Sequence, residues 1–356
     1  MSSQKESALR SKYLEGLPDK GAHVFALTQE LSAALRPWMD RHDRMISLTT
    51  SRDIMRNARA KQLCLTLAAA APFLDVSRLM PATCMGTWFF VVDELTDEHG
   101  LTSSAQWGKL VGLHALFSPG RQDAIDTQGD ERLAPLLEAL SDLRGLLRQY
   151  PIFETLSPEL ARALEEGLSG MRAEALWSAG SSDASRPSFP SLEEYLEKGA
   201  LQTTGVIPVC LCMISAIDDP SIRSHLPRLL EMAHQVAICV RLANDLRTYE
   251  KELAQGKLNA LGIVQQVLLK DGKAPDAAAA LALAREAVQD KLSLTVKRCM
   301  ELGGPESREK TQTMLPERFM INLVAFVCDF YTHHDYHHVL VRQDGNELDA
   351  GTSSQS

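Results

Sequence analysis

Thr87-Trp-Phe-Phe-Val-Val-Asp-Glu-Leu-Thr-Asp-Glu98 is an apolar segment that ends in acidic residues. Asp93 and Asp97 are four positions apart, so in a helix they share one face. Like charges at that spacing repel each other, and the helix dipole disfavours anions at a C-terminal end. We infer that a cation offsets this repulsion, and carboxylate oxygens suit Mg²⁺, which also bridges to phosphate. The alternative is a solvated acidic helix end, but the aromatic residues one turn earlier favour a helix that enters a core.

A second segment, Arg241-Leu-Ala-Asn-Asp-Leu-Arg-Thr-Tyr-Glu-Lys-Glu252, carries oxygen-bearing side chains at helical spacing. Asn244, Thr248 and Glu252 recur at every fourth position and therefore form one stripe on a helix. An amide oxygen, a hydroxyl and a carboxylate together suit one face of a Mg²⁺ ion. Lys251 lies beside the stripe and supplies a positive charge for a phosphate oxygen. The alternative is an ordinary polar face with Glu–Lys pairing.

Helical periodicity also dominates outside these two segments. Apolar residues recur at intervals of three and four, and strand-like alternation bounded by turns is not evident. We therefore predict an all-α, single-domain helical bundle, a fold in which sites are built from side chains on facing helices. The predicted helices are residues 23–39, 52–70, 84–98, 105–117, 134–149, 158–177, 192–215, 221–254, 260–270, 277–302 and 317–338.

The composition fits one large hydrophobic core. The chain has 356 residues, of which 45% are hydrophobic, and no shift in composition divides it. We place one α domain at residues 21–342, after a flexible N-terminus at 1–20 and before a polar, disordered tail at 343–356. The seven cysteines lie in apolar segments without zinc or disulfide spacing, which predicts buried free thiols in a reducing compartment.

The charge balance argues against two classes of partner. A net charge of −9 disfavours nucleic acid and anionic membranes. The longest apolar run, residues 200–217, is interrupted by polar residues and Pro208, so it makes a poor membrane span. The polar N-terminus lacks the apolar core of a signal peptide. We therefore expect a cytoplasmic protein, either a monomer or a homodimer.

The two oxygen-rich segments together resemble the class I terpene synthases. That family carries an aspartate-rich motif, DDxxD or DExxD, on one helix, which matches Asp93-Glu-Leu-Thr-Asp97. It carries an NSE motif, (N/D)Dxx(S/T)xxxE, on a facing helix, which matches Asn244-Asp-Leu-Arg-Thr-Tyr-Glu-Lys-Glu252. The order of the motifs and their separation of about 150 residues match the single-domain synthases of microbes, and the resemblance covers most of the chain.

The resemblance implies the class I terpenoid synthase fold and its activity. Such an enzyme ionises a linear isoprenoid diphosphate, cyclises the carbocation to a terpene hydrocarbon or alcohol, and releases diphosphate. Three Mg²⁺ ions are implied at the mouth of an apolar cavity. By position, Asp93 would ligate two ions with Asp97 as outer support, and the stripe from Asn244 through Thr248 to Glu252 would hold the third. Lys251 matches a lysine that often contacts diphosphate.

The chain departs from the family at two diphosphate contacts. Where the family usually has a diphosphate-sensing arginine, this chain has Lys198, which supplies a point charge without the fork of a guanidinium. Where the family tends to end in an Arg-Tyr pair, this chain offers Arg318-Phe319 and Asp335-Tyr336. We therefore assign diphosphate binding to Lys198, Lys251 and Arg318.

The chemistry implied by the resemblance needs a dry cavity with aromatic faces that stabilise positive charge. Phe89 is the best candidate because it lies one turn before Asp93 on the same helical face. These two residues and Lys198 form the predicted catalytic set. For each aromatic candidate, ordinary core packing is the alternative. The predicted cavity lining is Phe89, Phe90, Trp177, Tyr195 and Gly205.

The predicted helix at residues 192–215 contains Gly205 and Pro208. A proline inside a helix removes one hydrogen bond and clashes with the carbonyl four residues earlier, so a kink or break is expected there. In the resembled family a similar break directs carbonyls into the cavity. A kink that serves packing alone is the alternative.

Rival functions and the substrate length remain open at the level of sequence. A chain-elongating prenyltransferase should carry a second aspartate-rich motif in place of the stripe at Asn244. The histidine-rich run at residues 333–338 would suit a metallohydrolase, or a polar helix end. A non-enzymatic helical scaffold would not need the two segments to face each other. Only 6% of residues are aromatic, and small residues at 68–71 and around Gly205 and Ala216 favour geranylgeranyl over farnesyl diphosphate.

Overall fold

The computed structural model describes residues 20–49, 52–98, 103–120, 125–126, 130–180, 190–200 and 205–333. Within these ranges all regular structure is helical, which confirms the predicted all-α class. None of the helices in the described ranges is long and apolar enough to cross a bilayer. The α-helices are α1 Lys20–Arg41, α2 Asp43–Ile46, α3 Ala60–Ala70, α4 Val76–Glu98, α5 Ser104–Gly112, α6 Leu133–Leu147, α7 Phe153–Gly180, α8 Leu192–Glu194, α9 Val206–Ile217, α10 Ile222–Ala254, α11 Ala260–Lys270, α12 Ala277–Gly303 and α13 Leu315–His333.

Helix α4 begins earlier than the sequence predicts. It starts at Val76 and contains Pro81, whereas the prediction started at residue 84, beyond the proline. A proline at position 81 cannot donate to the carbonyl of Ser77. The hydroxyl of Tyr150 donates to that carbonyl instead, over 3.4 Å. A partner from a distant part of the chain therefore compensates for the bond that the proline removes.

The predicted helix at residues 192–215 is broken rather than kinked. A π-helical segment, Tyr195–Ala200, follows α8, and α9 starts only after Gly205, which has a left-handed backbone with φ of 61°. Pro208 thus lies in the first turn of α9. Backbone N–H groups in a first turn have no partner within the helix, so the proline costs no helical hydrogen bond there. The kink or break that the sequence predicts in this segment is therefore a break, and it lies at Gly205.

Five helices form a ring around the middle of the bundle. α4 packs against α3 and α9, α9 packs against α10, and α10 packs against α13, which returns to α3 and closes the ring. The five helices contribute to one large hydrophobic cluster that includes Trp88, Phe89, Met232 and Phe319. All seven cysteines are free, and only Cys328 is not fully buried, as the sequence predicts.

Polar contacts fix the direction of each ring helix. Arg78 at the start of α4 donates to the carbonyls of Ala216 and Ile217 at the end of α9, so these helices are antiparallel. Arg228 near the start of α10 pairs with Glu317 near the start of α13, so these helices are parallel. The end of α4 with Asp93, the start of α9, the Asn244 part of α10 and the end of α13 therefore lie at one end of the ring. We call this the Asp93 end and the opposite one the Arg78 end.

Gly205 lies against Phe89 so closely that a side chain does not fit. A Cβ atom on Gly205 would lie 2.5 Å from Cγ of Phe89, and the φ of 61° disfavours any L-residue. We predict that Gly205→Ala lowers the free energy of unfolding by about 1–3 kcal/mol, because it adds backbone strain and a clash with the ring. Chemical denaturation measures the change.

The matched control for this substitution is Gly145→Ala. Gly145 lies inside α6 with open space around its Cα, so alanine there should raise stability by about 0.5–1 kcal/mol. Equal effects of the two substitutions would contradict the close packing of Gly205 on Phe89.

Candidate functional site

The acidic end of α4 separates its carboxylates into two environments. Asp93 is partly exposed, whereas Glu94 is only 7% exposed. Oε2 of Glu94 lies 2.8 Å from Nη1 of Arg59, at the end of the π-helical segment Ile54–Arg59 that precedes α3. This ion pair ties Glu94 to the neighbouring helix and leaves Asp93 on the adjacent face. The backbone of Asp97 is helical, but its side chain lies outside the described residues.

Phe89 stands one turn below Asp93, between α4 and the start of α9. Its ring meets Trp88 edge to face, with ring centroids 5.2 Å apart. The indole of Trp88 donates to the carbonyl of Leu136, 3.1 Å away, which fixes its orientation. Gly205 touches the Phe89 ring from the other side. The structure therefore places Gly205 against Phe89, and Asp93 one helical turn away from that ring, with about 6 Å of helix between the carboxylate and the ring levels.

The stripe on α10 brings two candidate oxygen ligands close together. The hydroxyl of Thr248 donates to the main-chain carbonyl of Asn244 over 2.9 Å, and its oxygen lies 3.5 Å from Oδ1 of the same residue. Adjacent oxygens of an octahedral Mg²⁺ site lie about 3.0 Å apart, since each bond is about 2.1 Å. Oε2 of Glu252, one turn further, lies 2.8 Å from the amide nitrogen of Asn259. The amide, hydroxyl and carboxylate oxygens of the stripe are thus of the chemical type that Mg²⁺ binds.

Asp245, the acid next to the stripe, points away from it into a buried network. Its Oδ1 lies 2.9 Å from Nε of Arg241, and its Oδ2 accepts hydrogen bonds from the Tyr195 hydroxyl at 2.9 Å and the Ala260 amide at 2.8 Å. Arg241 also pairs with Glu174 at 3.0 Å. Burial raises the pKa of the Asp245 carboxyl to about 7, against the opposing effect of Arg241. This network fixes α10 against its neighbours.

Tyr195 and Trp177 lie apart from Phe89, unlike in the predicted cavity. Tyr195 is fully buried in a second hydrophobic cluster formed with α10 and α11, and Trp177 packs against that cluster. The guanidinium of Arg241 lies over the Tyr195 ring, 4.9 Å from its centroid. Tyr195 therefore anchors the π-helical segment Tyr195–Ala200, while Phe90 packs against the large cluster with Phe89. Tyr195 lies apart from Phe89 because its hydroxyl is hydrogen-bonded to Asp245.

The structure places Arg318, one of the predicted diphosphate ligands, away from Asp93. Its guanidinium lies 4.8 Å from the centroid of the Phe73 ring, just before the start of α4. Asp93 is about 25 Å further along that helix, at about 1.5 Å per residue. An arginine side chain does not span this distance. Arg318 therefore belongs to the Arg78 end of the ring, where its cation–π contact supports packing.

The remaining candidates are described only in part. Lys198 lies in the π-helical segment Tyr195–Ala200, but its side chain lies outside the described residues. Lys251 is partly exposed on α10 next to Glu252. α13 ends at His333 at the Asp93 end, and the rest of the histidine-rich run lies outside the described residues. Among the residues that the structure describes, no three His, Cys, Asp or Glu side chains gather as a metal site.

Two residues of the site were missed at the level of sequence. Arg59 carries no motif, and its contact with Glu94 joins positions distant in sequence. Asn259 stands just before an apolar helical run, which is the usual signal of an N-cap. That signal predicts the start of α11 but not the contact between Asn259 and Glu252.

Comparison with known proteins agrees with this geometry. A family model described as "Terpene synthase family 2, C-terminal metal binding" matches residues 84–292, which include both oxygen-rich segments. A search of curated proteins finds no match.

Several solved structures share the fold. Isoprene synthase from grey poplar (Populus x canescens), in complex with three Mg²⁺ ions and dimethylallyl-S-thiolodiphosphate, has a TM-score of 0.66 and 16% identity over 88% of this chain and 56% of that chain. Linalool/nerolidol synthase from Streptomyces clavuligerus, in complex with 2-fluorogeranyl diphosphate, has a TM-score of 0.54 and 16% identity over 86% of this chain and 93% of that chain. Abietadiene synthase from Abies grandis has a TM-score of 0.59 and 15% identity over 88% of this chain and 38% of that chain.

At these identities the structural likeness shows the fold. The family model adds the assignment, because it matches more than half of the chain and contains both the Asp93 and the Asn244 segments. This chain belongs to terpene synthase family 2 and is a class I terpene synthase.

Proposed function

We propose that this enzyme uses three Mg²⁺ ions to ionise a linear isoprenoid diphosphate, cyclises the carbocation to a terpene hydrocarbon or alcohol, and releases diphosphate. The observation that carries the proposal is the oxygen stripe on α10. Oδ1 of Asn244 and Oγ1 of Thr248 lie 3.5 Å apart, and the Glu252 carboxylate is oriented by a hydrogen bond. The stripe lies at the same end of the ring as Asp93, on the opposite side of the ring.

Mg²⁺ ions held by these residues would supply positive charge to stabilise the departing diphosphate. The chain's own residues hold that charge in place. Asp93, with Asp97 as outer support, acts from α4, and the stripe from Asn244 to Glu252 acts from α10. Lys251 on α10 and Lys198 on the π-helical segment add positive charges that orient the diphosphate oxygens.

Phe89 stabilises the carbocation after the diphosphate has left. Its ring lies one turn below Asp93, and an aromatic face attracts positive charge without donating a reactive group. The ring is 3% exposed, and apolar residues of the large cluster surround it. A dry environment of this kind prevents water from quenching the cation early. Gly205 touches the same ring. The helix break at the start of α9 therefore lies next to Phe89.

The rival activities have weaker support. A chain-elongating prenyltransferase would carry aspartates on α10, where this chain has Asn244 and Thr248. A metallohydrolase would depend on the histidine-rich run at residues 333–338, and no second set of His and Asp residues elsewhere in the sequence has the ligand spacing to complete such a site. A scaffold without activity would not require the oxygen stripe on α10 to face the Asp93 end.

Removal of a metal ligand should abolish turnover without unfolding the chain. We predict this result for Asp93→Ala and for Asn244→Ala, because both side chains are partly exposed and alanine removes the oxygens that would bind the metal. Circular dichroism measures folding, and chromatography of extracted products measures turnover. Glu250→Ala, an exposed acid on the same helix as Asn244, is the control and should retain activity. Full activity of either ligand variant would refute the assigned metal site.

Lys198 is the proposed diphosphate sensor. We predict that Lys198→Ala costs about 2–4 kcal/mol of transition-state stabilisation, which is typical for a preorganised charge partner. Lys198→Arg should retain activity, since it keeps the charge. The measurement is kcat/KM for both variants. Indifference to both substitutions would show that another residue captures the diphosphate.

Geranylgeranyl diphosphate is the proposed substrate, in preference to farnesyl diphosphate. Buried Ala68, Ala70 and Ala71 lie at the Arg78 end, far from the metal ligands, and Ala216 is buried there too. Small side chains at that depth favour a longer isoprenoid tail. With equal amounts of both substrates in competition, we predict mainly twenty-carbon product. Mainly fifteen-carbon product would contradict this preference.

A further inference from the structure

The connection from α10 to α11 folds back tightly onto the proposed metal stripe. Gly256 adopts a left-handed backbone with φ of 68° just after the end of α10. The amide of Lys257 donates to the carbonyl of Glu252 over 2.9 Å, and the amide of Gly256 donates to the carbonyl of Leu253 over 3.1 Å. This pair of bonds is a Schellman motif, which ends a helix and reverses the chain in a defined direction. It places Asn259 beside the last turn of α10.

Asn259 uses its side-chain amide on three partners at once. Nδ2 donates to the main-chain carbonyl of Asp245 at 2.9 Å and to Oε2 of Glu252 at 2.8 Å. Oδ1 accepts from the amide of Leu261 at 2.9 Å and so caps the start of α11. The side chain is only 3% exposed. An asparagine amide has two N–H donors, and both have a partner on α10.

The contact with Glu252 determines how that carboxylate is presented. A carboxylate on the last turn of an exposed helix would sample several rotamers, whereas the bond to Asn259 restricts Oε2 to one position. A neutral amide donor orients the carboxylate and leaves its negative charge in place. A lysine or arginine partner would neutralise that charge. Hydrogen bonds to ligating carboxylates typically affect metal affinity by 10–100-fold.

We propose that Asn259 is a positioning residue for the Mg²⁺ ion that Asn244, Thr248 and Glu252 hold. This inference rests on the proposed function, since it requires Glu252 to be a metal ligand. Asn259 touches neither the substrate nor the metal, and it acts through the Glu252 carboxylate. The same side chain links the start of α11 to the proposed metal stripe on α10. The proposed metal site and the connection from α10 to α11 therefore share one residue.

The test uses two substitutions that keep the N-cap but remove the amide donor. Asn259→Ser and Asn259→Asp both place a capping oxygen before α11. Serine does not reach Glu252, and aspartate brings a like charge against it. The first measurement is the Mg²⁺ concentration that gives half-maximal turnover. The second measurement is independent of turnover: the rise in melting temperature on titration of Mg²⁺ at a fixed concentration of inorganic diphosphate.

We expect both variants to require about 10–100-fold more Mg²⁺ in both measurements. Asp276→Ser is the matched control, because Asp276 caps α12 through the amide of Ala279 at 2.8 Å and lies outside the site. That variant should keep the Mg²⁺ dependence of the parent enzyme. In the Glu252→Gln background, Asn259→Ser should add little to the loss of Mg²⁺ response, since the two residues act as a unit.

The outcomes separate this inference from the proposed function. If Glu252→Gln loses the Mg²⁺ response while both Asn259 variants keep the parent dependence, Asn259 is a cap alone and the inference is wrong. If Glu252→Gln itself keeps the full Mg²⁺ response, the assigned metal ligands are wrong and the inference fails with them. A lower melting temperature without metal, together with unchanged Mg²⁺ dependence, would also count against a positioning role.

Discussion

The buried pair of Arg241 and Asp245 is the interaction on which the arrangement of the site depends. Asp245 is fully buried, and its carboxylate contacts Arg241 and the Tyr195 hydroxyl. It also accepts the first amide of α11, from Ala260, where the helix dipole favours an anion. These contacts join three elements, namely the π-helical segment Tyr195–Ala200, α10 and the start of α11. The first carries Lys198, the second carries the oxygen stripe, and the third is capped by Asn259. Removal of one partner of such a pair typically costs about 3–5 kcal/mol, because the other charge remains buried.

A second constraint fixes the apolar region next to the proposed metal ligands. The start of α9 lies against Phe89 because Gly205 has no side chain, and α9 then runs antiparallel to α4 down to the contacts of Arg78. The Glu94–Arg59 ion pair ties the acidic end of α4 to the helix on its other side. α4 is thus fixed on both flanks, which leaves Asp93 on the face between them. The proposed chemistry depends on this order. The charged residues lie at the Asp93 end of the ring of helices, and the aromatic face of Phe89 lies one helical turn below them.

The parts of this structure that the sequence predicts are those that depend on local periodicity. The helices and the two oxygen-rich segments can be predicted from the sequence because side chains three and four residues apart share a helical face. The parts that the sequence does not predict depend on contacts between distant residues. Tyr195 is aromatic, like the other residues predicted to line the cavity. Its hydrogen bond to Asp245 nevertheless holds it in another cluster. Arg318 has the charge of a diphosphate ligand, yet the direction of α13 places it beside Phe73.

The central claim is that Asp93 on α4 and the stripe on α10 hold one diphosphate between them through Mg²⁺. A crystal structure of the enzyme with Mg²⁺ and inorganic diphosphate tests it most directly. We predict electron density for metal ions bonded to Asp93 on one side and to Asn244, Thr248 and Glu252 on the other, with diphosphate bridging them. Diphosphate bound elsewhere, or metal ions that leave the α10 stripe without a bond, would contradict the account.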